Sequence, residues 1–241
     1  MKKVFIILLM FPLLTMAQMT EGLLTLSEIT VKQGHNAQFM EGVKKWKECY
    51  NKEEGTNSWA FWSRLQGEGN VYVISGNMPN WAEMDKEDMA SKSCSIIAMN
   101  FITPHVEKIN YNITKTLPEW SKKSENTDTK LAWVTSFRVK NNVLFAEIIK
   151  EITEAIISEE GEPRGNWYRF MGGSEDAPDY MVSDFFKSYA GIDEDEKRNG
   201  PFEIYKKVNG DKKANQMMDR WMSAVDGSWS YLYELNAALS N

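Results

Sequence analysis

The stretches LTLSEITVKQGHNAQFMEGVKKWKECYN (residues 24–51) and LAWVTSFRVKNNVLFAEIIKEITEAIIS (residues 131–158) decide the fold. In each, an apolar run of strand length ends in Val-Lys, at Val31 and at Val139. Apolar residues at helical spacing follow, beginning at Phe39 and at Phe145. Two similar patterns at nearly the same offset indicate an internal repeat, so the sequence predicts a tandem duplication.

The pattern continues in the same order within each half. In the first, residues 59–65 and 71–75 have strand character around a glycine-containing turn, residues 86–103 have helical spacing, and residues 106–114 alternate as a last strand. The second half repeats these elements at 166–171, 180–183, 212–225 and 228–235, with an acidic insertion at 193–198. We therefore predict an α+β protein with two tandem ferredoxin-like βαββαβ repeats, residues 18–115 and 131–241, joined by a linker at 116–130.

Aromatic side chains occupy both faces of the predicted hairpin strands. Because side chains alternate along a strand, Trp59 and Phe61 point to one face and Trp62 points to the other. Helices cover one face of each sheet, and the simplest partner for the open face is the open face of the other repeat. The predicted arrangement is an intramolecular pseudo-dimer, packed sheet to sheet around an enclosed space.

Three segments resemble a known superfamily: the strand end VKQG at 31–34, the helix that begins at Phe39, and WAEMD at 81–85. They are similar to the dimeric α/β-barrel superfamily, which includes antibiotic-biosynthesis-monooxygenase-like and NIPSNAP-like proteins. The resemblance covers most of residues 24–114 and, more faintly, 131–235. It implies a fold rather than one activity, because the superfamily includes cofactor-independent monooxygenases, haem-degrading enzymes, haem peroxidases and lactone isomerases.

Composition and charge exclude several classes of function. The 241 residues are 42% hydrophobic and 26% charged, which is typical of a globular protein. The 28 Lys and Arg residues against 34 Asp and Glu residues give a net charge of −6. An acidic chain without a basic stripe is not expected to bind nucleic acid or an anionic membrane.

The N-terminal residues 1–17 have the pattern of a bacterial Sec-type signal peptide. Lys2 and Lys3 precede an apolar stretch at 4–14, which is too short to span a bilayer, and Thr15-Met16-Ala17 resembles a cleavage site before Gln18. We therefore predict a periplasmic or secreted protein that does not associate with the membrane after cleavage of the signal.

Cys49 and Cys94 would then meet an oxidising environment. A disulfide is allowed if their Cα atoms lie within about 7 Å of each other. Two buried thiols that pack as small apolar side chains are the alternative, and the sequence leaves both open.

The candidate binding residues lie on the predicted strands that face the enclosed space. Pockets for small molecules are mainly apolar with a few placed polar groups. Aromatic residues and arginines of these strands fit that description: Trp62, Arg64, Tyr72, Arg138, Trp167, Arg169, Trp229 and Tyr231. The same aromatic side chains would alternatively fill the barrel solidly.

The sequence offers little for a cofactor or a metal. Haem usually needs an axial histidine, and of the two histidines His35 lies at a turn before a helix and His105 follows Pro104. Surface or capping roles are simpler for both. The acidic runs at 175–179 and 193–196 lack the spacing of a calcium loop. We predict neither a cofactor nor a metal.

Three functions are compatible with these features of the sequence. We predict an exported protein, a monomer or weak homo-oligomer, that binds a small, partly apolar ligand between its sheets. One alternative is a cofactor-independent monooxygenase-like enzyme, with Asn110, Asn112 and the strand arginines near the substrate. The other is a solid barrel whose surface associates with proteins. No nucleophile elbow, P-loop or dinucleotide-binding motif is present in the sequence.

Overall fold

The computed structural model of the chain describes residues 21–124 and 128–241. The predicted signal peptide, residues 1–17, lies outside the described residues. Eight strands lie within the described ranges: β1 (Leu23–Val31), β2 (Ala60–Arg64), β3 (Asn70–Met78), β4 (Val106–Thr116), β5 (Leu131–Val139), β6 (Asn166–Phe170), β7 (Tyr180–Phe186) and β8 (Val225–Leu235).

The eight strands form one closed antiparallel barrel in the order β1-β3-β2-β8-β5-β7-β6-β4. The first four strands are neighbours in the order β4-β1-β3-β2, and the last four are neighbours in the order β8-β5-β7-β6. Two pairings close the barrel between these groups, β2 with β8 and β4 with β6. The predicted α+β class is confirmed, and closure removes the exposed edges that an open sheet would have.

Helices cover the outside of the barrel. The α-helices in the described residues are α1 (Asn36–Lys52), α2 (Met89–Ser93), α3 (Ser95–Ile97), α4 (Asn142–Glu160), α5 (Tyr189–Asp195), α6 (Pro201–Asn209) and α7 (Asp211–Ala224). α4 begins where the Asn141 side chain accepts a hydrogen bond from the Leu144 amide, and it ends at Gly161, whose φ is +89°. No helix in the described ranges is long and apolar enough to cross a membrane.

Two hydrophobic cores lie between the barrel and its helices. In the first half, Phe39 of α1 packs against Phe61 and Tyr72, with ring centroids 6.5 Å and 5.2 Å away. In the second half, Phe145 of α4 packs against Phe137 and Tyr180, at 5.6 Å and 4.7 Å. The dry cores are therefore outside the barrel, beneath the helices.

The segment predicted to be helical at 86–103 is helical in the structure, but it is not one continuous helix. This segment instead forms the short helices α2 and α3, followed by a π-helical turn at Ala98–Ile102 and a 3₁₀ turn at Thr103–His105. Serine, which favours helix interiors less than alanine or leucine, flanks Cys94 on both sides, and Cys94 is bonded to Cys49 of α1. Cys49 and Cys94 form a disulfide with a Cα–Cα distance of 5.9 Å, which decides between the two alternatives that the sequence leaves open.

Two other segments also differ from the sequence prediction. The predicted linker at 116–130 contains Trp120, which is buried in the second core, and Ser121, whose hydroxyl accepts from the Trp167 amide at 2.8 Å. The acidic insertion at 193–198 ends α5 and leads to α6, a helix that the sequence pattern does not indicate. Pro201 at the start of α6 is a typical first helical residue.

Candidate functional site

The inside of the barrel is a cavity of about 1340 Å³. Its wall follows from strand alternation, since every second residue points inward. On β1 the inward residues are Leu24, Leu26 and Glu28, whereas Ile29 and Val31 lie in the core outside the barrel. A cavity of this size is large enough for a small organic ligand.

Several aromatic side chains form part of the cavity wall. Six of them are Trp62, Tyr168, Phe185, Trp229, Tyr231 and Tyr233. The indole of Trp62 lies 6.2 Å from the Phe185 ring, and its Nε1 donates a hydrogen bond to the Ser75 hydroxyl at 3.0 Å. Because its only polar atom is satisfied, Trp62 presents an apolar surface in a fixed orientation.

Arg64 closes one end of the barrel. Its guanidinium lies 4.4 Å from the centre of the Tyr231 ring, and its Nη2 donates to the carbonyl oxygen of Glu68 in the β2–β3 turn. Gly67 in that turn has a φ of +90°, and a Cβ there would be 2.9 Å from the Tyr231 ring. The turn therefore needs glycine both for its backbone conformation and for its close approach to the ring.

Arg138 repeats this arrangement at the same end of the barrel. Its guanidinium lies 5.8 Å from the centre of the Trp229 ring, and its Nη2 donates to the carbonyl oxygen of Asp176 at 2.8 Å. Its buried Nε has no hydrogen-bond partner among the described residues. β2 and β5 lie on either side of β8, and both run antiparallel to it. Each arginine therefore connects a hairpin loop to an aromatic residue of β8.

Burial controls the protonation of the phenols in the cavity. It raises the pKa of Tyr168 to about 12, against a hydrogen bond with Asn166 that lowers it. It also raises the pKa of Tyr233, where the Glu28 carboxylate adds to the effect and Arg64 opposes it. Both phenols therefore stay protonated at neutral pH and can donate hydrogen bonds to a ligand.

The structure brings four of the eight predicted residues into the cavity wall. Trp62, Arg64, Trp229 and Tyr231 line it. Arg138 lies at its rim, where it contacts Trp229.

The remaining three predicted residues are on the other face of the sheet, which corrects their expected position. Tyr72 packs under α1 and donates to Asn36 Oδ1, and Trp167 packs against the second core. Arg169 has Nη2 3.8 Å from the sulfur of Met171. Their neighbours Val73 and Tyr168 line the cavity, so strand alternation places all three outside.

Most residues of the cavity wall are absent from the set predicted from the sequence, among them Glu28, Tyr168 and Tyr233. Each lies two residues from another inward residue on its strand, respectively Leu26, Phe170 and Tyr231. The period of two is the available signal. It does not identify the inner face, because both faces of these strands carry apolar side chains.

The two histidines lie outside the cavity and contact each other. The Nδ1 atoms of His35 and His105 are 2.8 Å apart, beside the start of α1 and the start of β4. No histidine of the described residues lines the cavity, so a haem iron would find no histidine ligand there. The described residues also contain no group of three or more His, Cys, Asp or Glu arranged to hold a metal ion.

The closed barrel and the outer helices define the class of the protein: it is an α+β protein built on a closed antiparallel barrel of eight strands. No protein-family model and no curated protein matches the sequence. Solved structures, by contrast, match across nearly the whole chain. A candidate monooxygenase from Fusobacterium nucleatum subsp. nucleatum has a TM-score of 0.56 and 17% identity, covering 89% of this chain and 92% of that one.

Two further structures show the range of proteins with this fold. A candidate monooxygenase from Lactobacillus acidophilus NCFM has a TM-score of 0.50 and 13% identity, covering 90% of this chain and 94% of its own. A chlorite dismutase from Candidatus Nitrospira defluvii has a TM-score of 0.51 and 10% identity, covering 89% and 92%. At these identities the similarity establishes the fold alone.

Proposed function

We propose that this chain is an exported protein that binds a small, partly apolar molecule inside its barrel. One observation carries the proposal: the barrel contains a cavity of about 1340 Å³ whose wall combines aromatic rings with polar and charged side chains. A concave site with aromatic side chains and placed polar groups is typical of small-molecule binding. In a solid barrel these aromatic side chains would fill the interior. The cavity is evidence against this alternative.

A cofactor-independent monooxygenase-like activity is the second candidate. It is favoured by Glu28, a carboxylate that faces the cavity and forms no hydrogen bond or ion pair within the described ranges. Proton abstraction from a substrate needs such an acceptor inside the pocket. Two of the structural neighbours are candidate monooxygenases, which is compatible with this activity.

Export and duplication are part of the proposal. The disulfide between Cys49 and Cys94 supports an oxidising compartment, as expected for a chain whose first 17 residues resemble a signal peptide. The same strand order in the first and last four strands supports two ferredoxin-like repeats, 18–115 and 131–241, that form a pseudo-dimer. N-terminal sequencing of the exported protein tests the predicted mature start at Gln18.

Native mass spectrometry of the exported protein, compared with its denatured mass, tests the binding function. We expect a discrete extra mass that is lost on denaturation, and uptake of the neutral apolar probe N-phenyl-1-naphthylamine by ligand-free protein. Trp62→Ala, in the cavity wall, should weaken probe binding about tenfold, since the indole ring supplies a large apolar contact area that alanine lacks.

Trp81→Ala is the matched control, because Trp81 is 50% exposed and outside the cavity wall. It should bind the probe like the wild type. A protein that carries no extra mass and binds no probe would contradict the proposed function.

A further inference from the structure

Glu28 lies in a continuous row of inward-facing residues. It pairs with Asn110 of β4 on one side and with Val73 of β3 on the other, and Val73 pairs in turn with Trp62 of β2. All four residues line the cavity. The carboxylate is therefore on the same level of the barrel as the Trp62 indole, two strands away.

No described residue neutralises this carboxylate directly. In the part of the chain that the structure describes, Glu28 has no ion pair within 4.0 Å and no hydrogen bond. Arg64, a cation of the cavity wall, is engaged by the Glu68 carbonyl and the Tyr231 ring. Lys108 of β4 faces the cavity rim, is exposed and forms no ion pair in the described ranges.

Glu28 shares the cavity wall with several aromatic side chains. Its carboxylate is close enough to Tyr233 to raise the pKa of that phenol further, after the larger effect of burial. The rings of Trp62, Tyr231 and Tyr233 line the same cavity. Aromatic faces attract cations, and a cation held between rings and a carboxylate gains from both interactions.

We propose that Glu28 makes the cavity selective for ligands that carry a primary amine or another cationic N–H donor on an apolar body. This inference rests on the proposed function and specifies the ligand class of that site. A carboxylate accepts hydrogen bonds, and no side chain of the described residues donates one to Glu28. An ammonium group supplies the missing donors, while the apolar body of the ligand contacts the remaining wall.

Isothermal titration calorimetry with three compounds of one shape tests this inference. The compounds are 4-phenylbutylamine, 4-phenylbutan-1-ol and 4-phenylbutanoate, and the protein is the exported full chain. For the wild type we expect the amine to bind about tenfold more tightly than the alcohol, and the carboxylate compound to bind most weakly. In Glu28→Gln the amine and the alcohol should bind with similar affinity.

Glu234→Gln is the matched control, since Glu234 is an exposed residue of β8 and its removal changes the net charge equally. It should keep the preference for the amine. Binding of all three compounds without preference, or an amine preference that survives in Glu28→Gln, would overturn the inference and leave the cavity function intact. If none of the three binds and N-phenyl-1-naphthylamine does not bind either, the proposed function fails, and this inference fails with it.

Discussion

The two halves of the molecule have the same strand order, but their helices cover the barrel in different ways. In the second half, α4, α6 and α7 form a core cluster of thirteen buried residues with the sheet. In the first half, the corresponding cluster has seven, and the chain after β3 is divided into short helical turns. The first half instead has the disulfide between Cys49 and Cys94. A crosslink thus accompanies the smaller core, as is common where apolar burial alone is limited.

The segment between β3 and β4 is the weakly packed part of the first half's helical layer. Its exposed side chains include those of Met89, Ile96, Met99 and Phe101. The helix α4 of the second half, by contrast, buries seven of its residues. The same sheet topology is therefore covered in two ways. Long packed helices cover it in the second half, and short helices held by a disulfide cover it in the first.

Truncation of Phe145, in the core of the second half, should lower the free energy of unfolding more than any other change predicted here. Phe145 is fully buried and contacts Phe137, Tyr180 and Trp221. Phe145→Ala should lower the free energy of unfolding by about 4 kcal/mol, because the helical layer cannot collapse into the space that the ring leaves. Urea denaturation followed by circular dichroism measures the change.

Val143→Ala is the control on the same helix, since Val143 is 71% exposed. It should change stability by less than about 0.5 kcal/mol. An equal loss in the two variants would mean that the second half does not depend on its aromatic core.

Removal of the disulfide should have the next largest effect and should act on the first half. The two cysteines are 45 residues apart in sequence, and removing a disulfide typically costs about 2–4 kcal/mol of stability. We expect Cys49→Ala/Cys94→Ala to unfold at lower urea concentration than the oxidised wild type. Hydrogen exchange should increase first in α1 and in the segment between β3 and β4.

Reduction of the wild type by dithiothreitol is the matching measurement without mutation. It should reproduce the stability of the double variant. Increased exchange in α4 rather than α1 would contradict the assignment of the disulfide to the first half's stability.

The α+β class and the positions of the strands along the chain are predictable because periodicity survives in the sequence. The segments that begin at Phe39 and Phe145 have a clear helical spacing, and α1 and α4 follow it. The segment predicted to be helical at 86–103 is helical from Met89 onwards, but in short pieces rather than one helix, and Cys94 within it is linked to Cys49. The sequence does not reveal α6, because the acidic residues before it have the composition of a loop.

The site is only half predictable for a different reason. Strand periodicity identifies two faces, but it does not say which face is inside when both are apolar. It therefore cannot separate Tyr72 and Trp167, which belong to the outer cores, from the aromatic residues of the cavity. Glu28 is not recognisable because a single carboxylate on an apolar strand has no distinctive local pattern. Its significance comes from its neighbours across the barrel, Val73 and Trp62.

The smallest change in stability that we predict comes from Asp184 in the second half. The first half has no carboxylate at the corresponding position. Asp184 pairs with Trp133 on the outer face of β7, and Gly76 has the corresponding place on β3, opposite Thr25. Burial, and secondarily Asp195, raises the pKa of Asp184 to about 6, while nearby cations including Arg164 lower it. By contrast, the pKa of Glu160 is lowered, mainly because Arg164 donates hydrogen bonds to it.

The direction of the pH dependence follows from this difference. The pKa of Asp184 is higher in the folded protein than the value of about 3.9 for an exposed aspartate, so the folded state binds the proton more tightly. The charged carboxylate therefore lowers stability above pH 6, and this cost disappears as the pH falls through 6 towards 4. Asp184→Asn should raise the free energy of unfolding by about 1–2 kcal/mol at pH 7 and by almost nothing near pH 4.

Urea denaturation at pH 4, 5, 6 and 7 measures the difference, with Asp193→Asn as the control because Asp193 is exposed on α5. The control should track the wild type at every pH. If Asp184→Asn is instead less stable than the wild type at pH 7, attraction to Arg164, Arg198 and Lys122 outweighs the cost of burying the charge. Asp184 would then stabilise the second half at a place where the first half has Gly76, instead of destabilising it.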